Sequence, residues 1–184
     1  MAKYGKKLFK AINNNKIVYY DYQFINQLPN YNFLGTPIKE VLNSDYSSHE
    51  CVLALSTYFK EFEIITCNLG SSEKNSILKI NINNKNIIID TTLKFITDVS
   101  TYYNIFEPKN IRTIKSEEIN NTLFYKYIKH YRNNNKIDAN TLNKYFEICN
   151  NCKDYNNSNI EYFISLILQR TTKKCNKKLL YNKQ

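Results

Sequence analysis

The chain reads as an α+β protein, a small antiparallel sheet packed on a cysteine-bearing helix and followed by a helical C-terminal half. Three observations predict this. Residues 77–82 alternate, with Leu78, Ile80 and Ile82 pointing one way and Lys79 and Asn81 the other. After an Asn-rich turn at 83–86, Ile87–Thr91 returns as the second arm of a hairpin. Ser47 and Glu50 have capping-box spacing, ahead of an apolar helix face formed by Cys51, Leu55, Tyr58 and Phe62, with Val52 and Phe59 beside it. From Leu93 onward the apolar residues recur mainly at helical spacing.

The elements follow in order. Residues 1–15 are basic, and Lys3, Lys6, Lys7 and Lys10 with Leu8, Phe9 and Ile12 suit a short amphipathic helix, either solvated or a nucleic-acid or membrane arm. Ile17–Ile25 is dense in β-branched and aromatic residues and predicts a strand, broken at Leu28-Pro29-Asn30. Thr36-Pro37 supplies an N-cap and a proline at the first helical position for a short helix through Ile38, Val41 and Leu42. Residues 43–47 connect it to the Cys51 helix, which is expected to end near Phe62. Glu63–Leu69 is the next strand, closed by Gly70-Ser71-Ser72 and paired beside the hairpin.

Leu93, Ile96, Val99, Tyr103 and Phe106 predict a helix over 93–106, stopped by Pro108. Ser116 caps a longer helix reaching Tyr131, with Glu117 and Glu118 in its first turn and His130 and Arg132 at its C-terminal end, where they suit the dipole. Two more helices are expected over 139–149 and 159–170, the second capped by Ser158. Neither a repeat nor a linker divides the chain. One domain is expected over 1–184: a core at 37–92, a helical half at 93–170 and a basic tail at 171–184.

Composition narrows the function classes. The 184 residues are 42% hydrophobic and 14% aromatic, which suits a folded protein with a sizeable core. Glycine and proline occur three times each, while Asn, Ile, Lys and Tyr are over-used, as AT-rich coding produces in a viral, organellar or parasite genome. The net charge of +10 points to a polyanion such as nucleic acid, reached through the basic termini, or to the same coding bias. No apolar run approaches the roughly 18 residues a membrane span needs, and no apolar region follows Met1–Lys7, so neither membrane partner nor secretory signal is expected. Five cysteines, an odd number, suggest reduced thiols and a cytoplasmic setting.

The one hint of chemistry is Cys51. In the first turn of a helix, a thiol meets unpaired amide N–H groups and the positive end of the dipole, and both favour the thiolate. Ile38-Lys39-Glu40-Val41-Leu42 runs toward Cys51, and the hairpin arm Ile88-Ile89-Asp90-Thr91-Thr92 supplies a carboxylate. This order over 37–92 resembles the core of the transglutaminase-like, papain-like thiol enzymes. The resemblance implies a thiol hydrolase or acyl transferase acting on a protein or peptide, with Cys51 as nucleophile and Asp90 as the triad carboxylate. The histidine of that class is expected near Asn75, Ser76 and Ile77, yet no histidine lies between Cys51 and Asp90. His49 or His130 is then the candidate to substitute as the base, and His49 is carried as a candidate catalytic residue with Cys51 and Asp90. Two residues before Cys51, His49 nonetheless points to another helix face, and His130 approaches only through the tertiary fold.

Two readings therefore stand. One is a thiol enzyme, or a degenerate descendant of one that acts through binding. The other is a non-enzymatic basic protein that binds nucleic acid or a partner protein, with Cys51 a core residue. Cys149-Asn150-Asn151-Cys152 has redox or half-zinc-site spacing, but with only Cys175 to add, neither a metal nor a cofactor is expected. The tail from Arg170 to Lys178 is basic and can contact phosphates.

Overall fold

The computed structural model describes residues 17–19, 26–28, 30–44, 46–70, 73–134, 136–151 and 157–181, with side chains described between Asn26 and Gln169. The basic segment 1–15, most of the strand expected over 17–25, Pro29, Ser71, Ser72, Cys152 and the side chains of the basic tail lie outside the described residues.

A hairpin forms the centre. Strands β4 (Glu63–Leu69), β5 (Glu73–Ile82) and β6 (Lys85–Asp90) run as an antiparallel meander. The turn between β5 and β6 is only Asn83-Asn84, both at positive φ (51° and 62°). A two-residue hairpin turn of this hand needs left-handed backbone at both positions, and Asn accepts it more readily than most residues. Strand β7 (Phe95–Asp98) joins β6, and β1 (Ile17–Tyr19) and β8 (Lys109–Lys115) form the edges. The order is β1-β7-β6-β5-β4-β8, and every pair is antiparallel. Strands β2 (Asn32–Phe33) and β3 (Thr36–Pro37) form a separate small ladder.

Both faces of the sheet are covered. Ile64, Leu78, Ile80, Ile89 and Ile114 pack with α2 (Ser48–Ser56), α1 (Ile38–Asn43) and α7 (Ser158–Tyr181). Ile65, Ile77, Ile88 and Phe95 pack on the other side with Tyr102, Ile105 and Phe106 of α3 (Val99–Phe106). A strand buried on both faces reads as a continuous apolar run, which accounts for Ile87-Ile88-Ile89. Helices α4 (Ser116–Asn120), α5 (Leu123–Tyr131) and α6 (Ala139–Asn150) complete the C-terminal half. The fold is α+β, as expected. Among the described residues, no helix is long and apolar enough to cross a membrane.

Several boundaries differ from expectation. Thr36-Pro37 pairs as β3, and Pro37 occupies the N-cap of α1 without a side-chain cap. Helix α2 ends at Ser56, short of Phe62, because Ser56 and Thr57 turn their hydroxyls back onto the Leu53 and Ala54 carbonyls. The helix expected over 93–106 begins only at Val99. Asp98 caps it by accepting from the Thr101 N–H, and the preceding residues pair with β6. The helix expected from Ser116 to Tyr131 is interrupted at Asn121-Thr122, where the Thr122 hydroxyl caps a new start by accepting from the Tyr125 N–H. Asn157, not Ser158, caps α7, its Oδ1 accepting from the N–H groups of Asn159 and Ile160. That helix runs on to Tyr181, through residues expected to be tail.

Candidate functional site

Helix α2 starts on the cap that its sequence specifies. The Ser47 hydroxyl accepts from the Glu50 N–H at 3.2 Å, and the Glu50 carboxylate accepts from the Ser47 N–H at 2.9 Å. Almost every residue behind the cap is buried. Cys51 is the fourth helical residue and is only 4% exposed. Its N–H is already bonded to the Ser47 carbonyl, and its thiol donates to the Val41 and Tyr46 carbonyls at 3.5 and 3.8 Å. Such contacts use the thiol proton and suit a buried, protonated cysteine.

His49 is buried as well. Its Nδ1 shares a 2.7 Å hydrogen bond with the hydroxyl of Ser76, and its ring stands edge-on to Phe163 of α7. His130 lies near the end of α5, exposed and edge-on to Tyr131.

Asp90 ends β6, fully buried on the α3 side of the sheet. Its Oδ1 accepts from the N–H groups of Thr92 and Leu93, both at 2.9 Å, and its Oδ2 accepts from the Asn75 amide at 3.1 Å and the Tyr102 hydroxyl at 2.6 Å. Burial raises its pKa above the ordinary carboxylate value and outweighs these four hydrogen bonds, which act in the opposite direction. Cys67, opposite Asn75 on β4, is pushed up to about 12, first by burial and then by the Asp90 charge.

Asn75 is the residue that ties this end of the sheet together. While its Nδ2 donates to Asp90, its Oδ1 accepts from the Thr92 hydroxyl at 3.0 Å. The amide therefore bridges the strand end and the turn that follows β6. The β5–β6 ladder stops at the Leu78–Ile89 pair. Beyond it, the Ser76 N–H donates to the Ser48 hydroxyl at 3.1 Å, so the first residue of α2 caps the open edge of β5. Of the three residues nominated by sequence, Asp90 bonds Asn75, His49 bonds Ser76, and Cys51 bonds the Val41 and Tyr46 carbonyls.

A cleft of about 590 Å³ opens where these parts converge. Ser48, His49 and Cys51 line it from α2, Lys74 and Asn75 from β5, and Thr91, Thr92 and Lys94 from the following turn. Ser48 was missed at the level of sequence. It stands beside the cap in a Ser-Ser pair, but its contact with β5 depends on where two distant strands separate. Among the described residues, no group of three or more His, Cys, Asp or Glu could hold a metal ion, and Cys149 is buried near the end of α6.

No family model, no curated protein and no solved structure matches the chain.

Proposed function

We propose that the chain is a transglutaminase-like domain whose triad is broken at the base position and which acts by binding at the cleft beside α2. The observation that carries this reading is the Asn75 amide, hydrogen-bonded to the buried Asp90 carboxylate on the strand where the resemblance leads one to expect the imidazole. An imidazole there takes a proton from the nucleophile while the carboxylate orients it. An amide can copy the hydrogen bond to the carboxylate, but it has no basic lone pair to take that proton. The hydroxyl of Ser48, at the first turn of α2 and on the same cleft, accepts from the Ser76 N–H, and the Cys51 thiol donates to the Val41 and Tyr46 carbonyls.

Alkylation kinetics test the reading. In the wild-type chain, Cys51 is expected to react with iodoacetamide more slowly than free cysteine at neutral pH, with no acyl adduct forming on Ser48 or Cys51 from a p-nitrophenyl ester. The paired change Ser48→Cys and Asn75→His puts a thiol and an imidazole backed by Asp90 on the cleft. Its introduced thiol is expected to label several-fold faster than that of Ser48→Cys alone, through a larger thiolate fraction. A wild-type chain that acylates, or in which Cys51 outruns free cysteine, sinks the non-catalytic reading. A paired variant no faster than the single one removes the likeness to a triad.

A further inference from the structure

The lining of the cleft has a chemical bias. Lys74 and Lys94 stand on it, against one carboxylate, Glu73, among the described residues. Neither lysine has an ion-pair partner among the described residues, and Lys74 stands over the Tyr162 ring, with Nζ 5.5 Å from its centroid. Asp90 lies behind the cleft with both oxygens already engaged in hydrogen bonds. The positive end of the nine-residue α2 dipole faces the same space through Ser47, Ser48 and His49.

Thr91 supplies an independent observation. It lines the cleft, is 7% exposed, and its Oγ1 is buried with no hydrogen-bond partner among the described residues. A buried hydroxyl without a partner is costly, and such groups are rare unless something else satisfies them.

We infer that this cleft binds a small ligand bearing an oxyanion, a carboxylate or a phosphate, held by Lys94 and Lys74 and accepting a hydrogen bond from the Thr91 hydroxyl. The inference rests on the binding reading for its site and gives that site a ligand class. An oxyanion is acceptor-only, so it can satisfy Thr91 and both ammonium groups together. A cationic or purely apolar ligand would leave all three donors without an acceptor.

The test is direct binding to the full chain by titration calorimetry, with inorganic phosphate and glutarate as separate probes at constant ionic strength. Saturable uptake of at least one is expected, and the stronger of the two identifies which anion the cleft prefers. Lys94→Gln should weaken binding about tenfold, the scale of one charge-assisted hydrogen bond. Thr91→Val is nearly isosteric and removes the unpartnered hydroxyl. It should weaken binding several-fold while leaving the free protein at least as resistant to heat as wild type, a combination that a misfolded variant cannot produce. Lys85→Gln, at the distant hairpin, should change nothing. Two outcomes overturn the inference: no saturable uptake of either probe, or uptake that Lys94→Gln and Thr91→Val leave intact. Either can occur while the alkylation experiment still reports a broken triad, so the two readings fail separately.

Discussion

Among the described residues, Asp90 enters the interior bonded to no cation, and that makes it a test of how the polar end of the sheet is balanced. Its four donors are neutral groups, and burial still raises its pKa above the ordinary 3.8. The linkage has a definite sign. Below the unfolded value, both states hold the proton and Asp90 costs nothing. As pH rises through the folded value, the native state gives up a proton that it holds more tightly than the unfolded chain, and stability falls. The difference in unfolding free energy between wild type and Asp90→Asn should therefore shift against wild type as pH rises from about 3.8, measured by urea unfolding at a series of pH values. A difference that is flat, or that grows with pH, would mean that the four hydrogen bonds outweigh burial. The same residues show what was legible at this scale. The Ser47–Glu50 cap is local chemistry and was readable, as was the hairpin that brings Asp90 near the start of β5. The Asn75–Thr92 and Ser48–Ser76 contacts were not, because they arise where β5 and β6 part, and no local pattern encodes that separation.

At the scale of elements, the strand meander was readable because alternation and turn chemistry agree. The errors fall where two periods coincide. Ile96, Val99 and Tyr103 lie on helical spacing, yet Phe95 to Asp98 pairs with β6, and the Asp98 cap, not the apolar period, sets the helix start. Strand β8 escaped notice because it is an edge strand: Lys109 to Arg112 are exposed and only Ile114 is fully buried, so little hydrophobic pattern remains to be read. On the neighbouring strand β4, Thr66 is 2% exposed and its Oγ1 has no hydrogen-bond partner among the described residues. Unlike Thr91, it lines no cleft that we describe. Thr66→Val keeps the shape, favours the strand and removes a buried unsatisfied hydroxyl, so it should stabilise the protein by about 1 kcal/mol in urea unfolding. A loss of that size instead would mean that the hydroxyl has a partner, such as a bound water.

Across the whole molecule, the helical C-terminal half and the sheet share one interior. The largest buried cluster runs from Leu28 and Phe33 through α2 and the sheet to Phe124 and Ile128 of α5, Tyr145 of α6 and Phe163 of α7. Polar contacts cross it at the end of α2, where the Tyr125 hydroxyl meets that of Ser56 at 3.0 Å and Arg132 donates to the Thr57 carbonyl at 3.3 Å. Phe163 is fully buried, and its ring abuts His49, so it joins α7 to the cap end of α2. Truncating it removes contacts on both sides and leaves a cavity too deep in the interior to collapse fully. Phe163→Ala should cost about 3–5 kcal/mol. Because the cluster is continuous, that loss should move the sheet and the helices together, as one denaturation transition seen alike by far-ultraviolet circular dichroism and by tyrosine fluorescence. If the variant instead unfolds in two steps, with α7 released while β4–β6 keeps its amide-exchange protection, the helical half is an appendage, and its release strips Leu166 and Gln169 from the cleft beside α2.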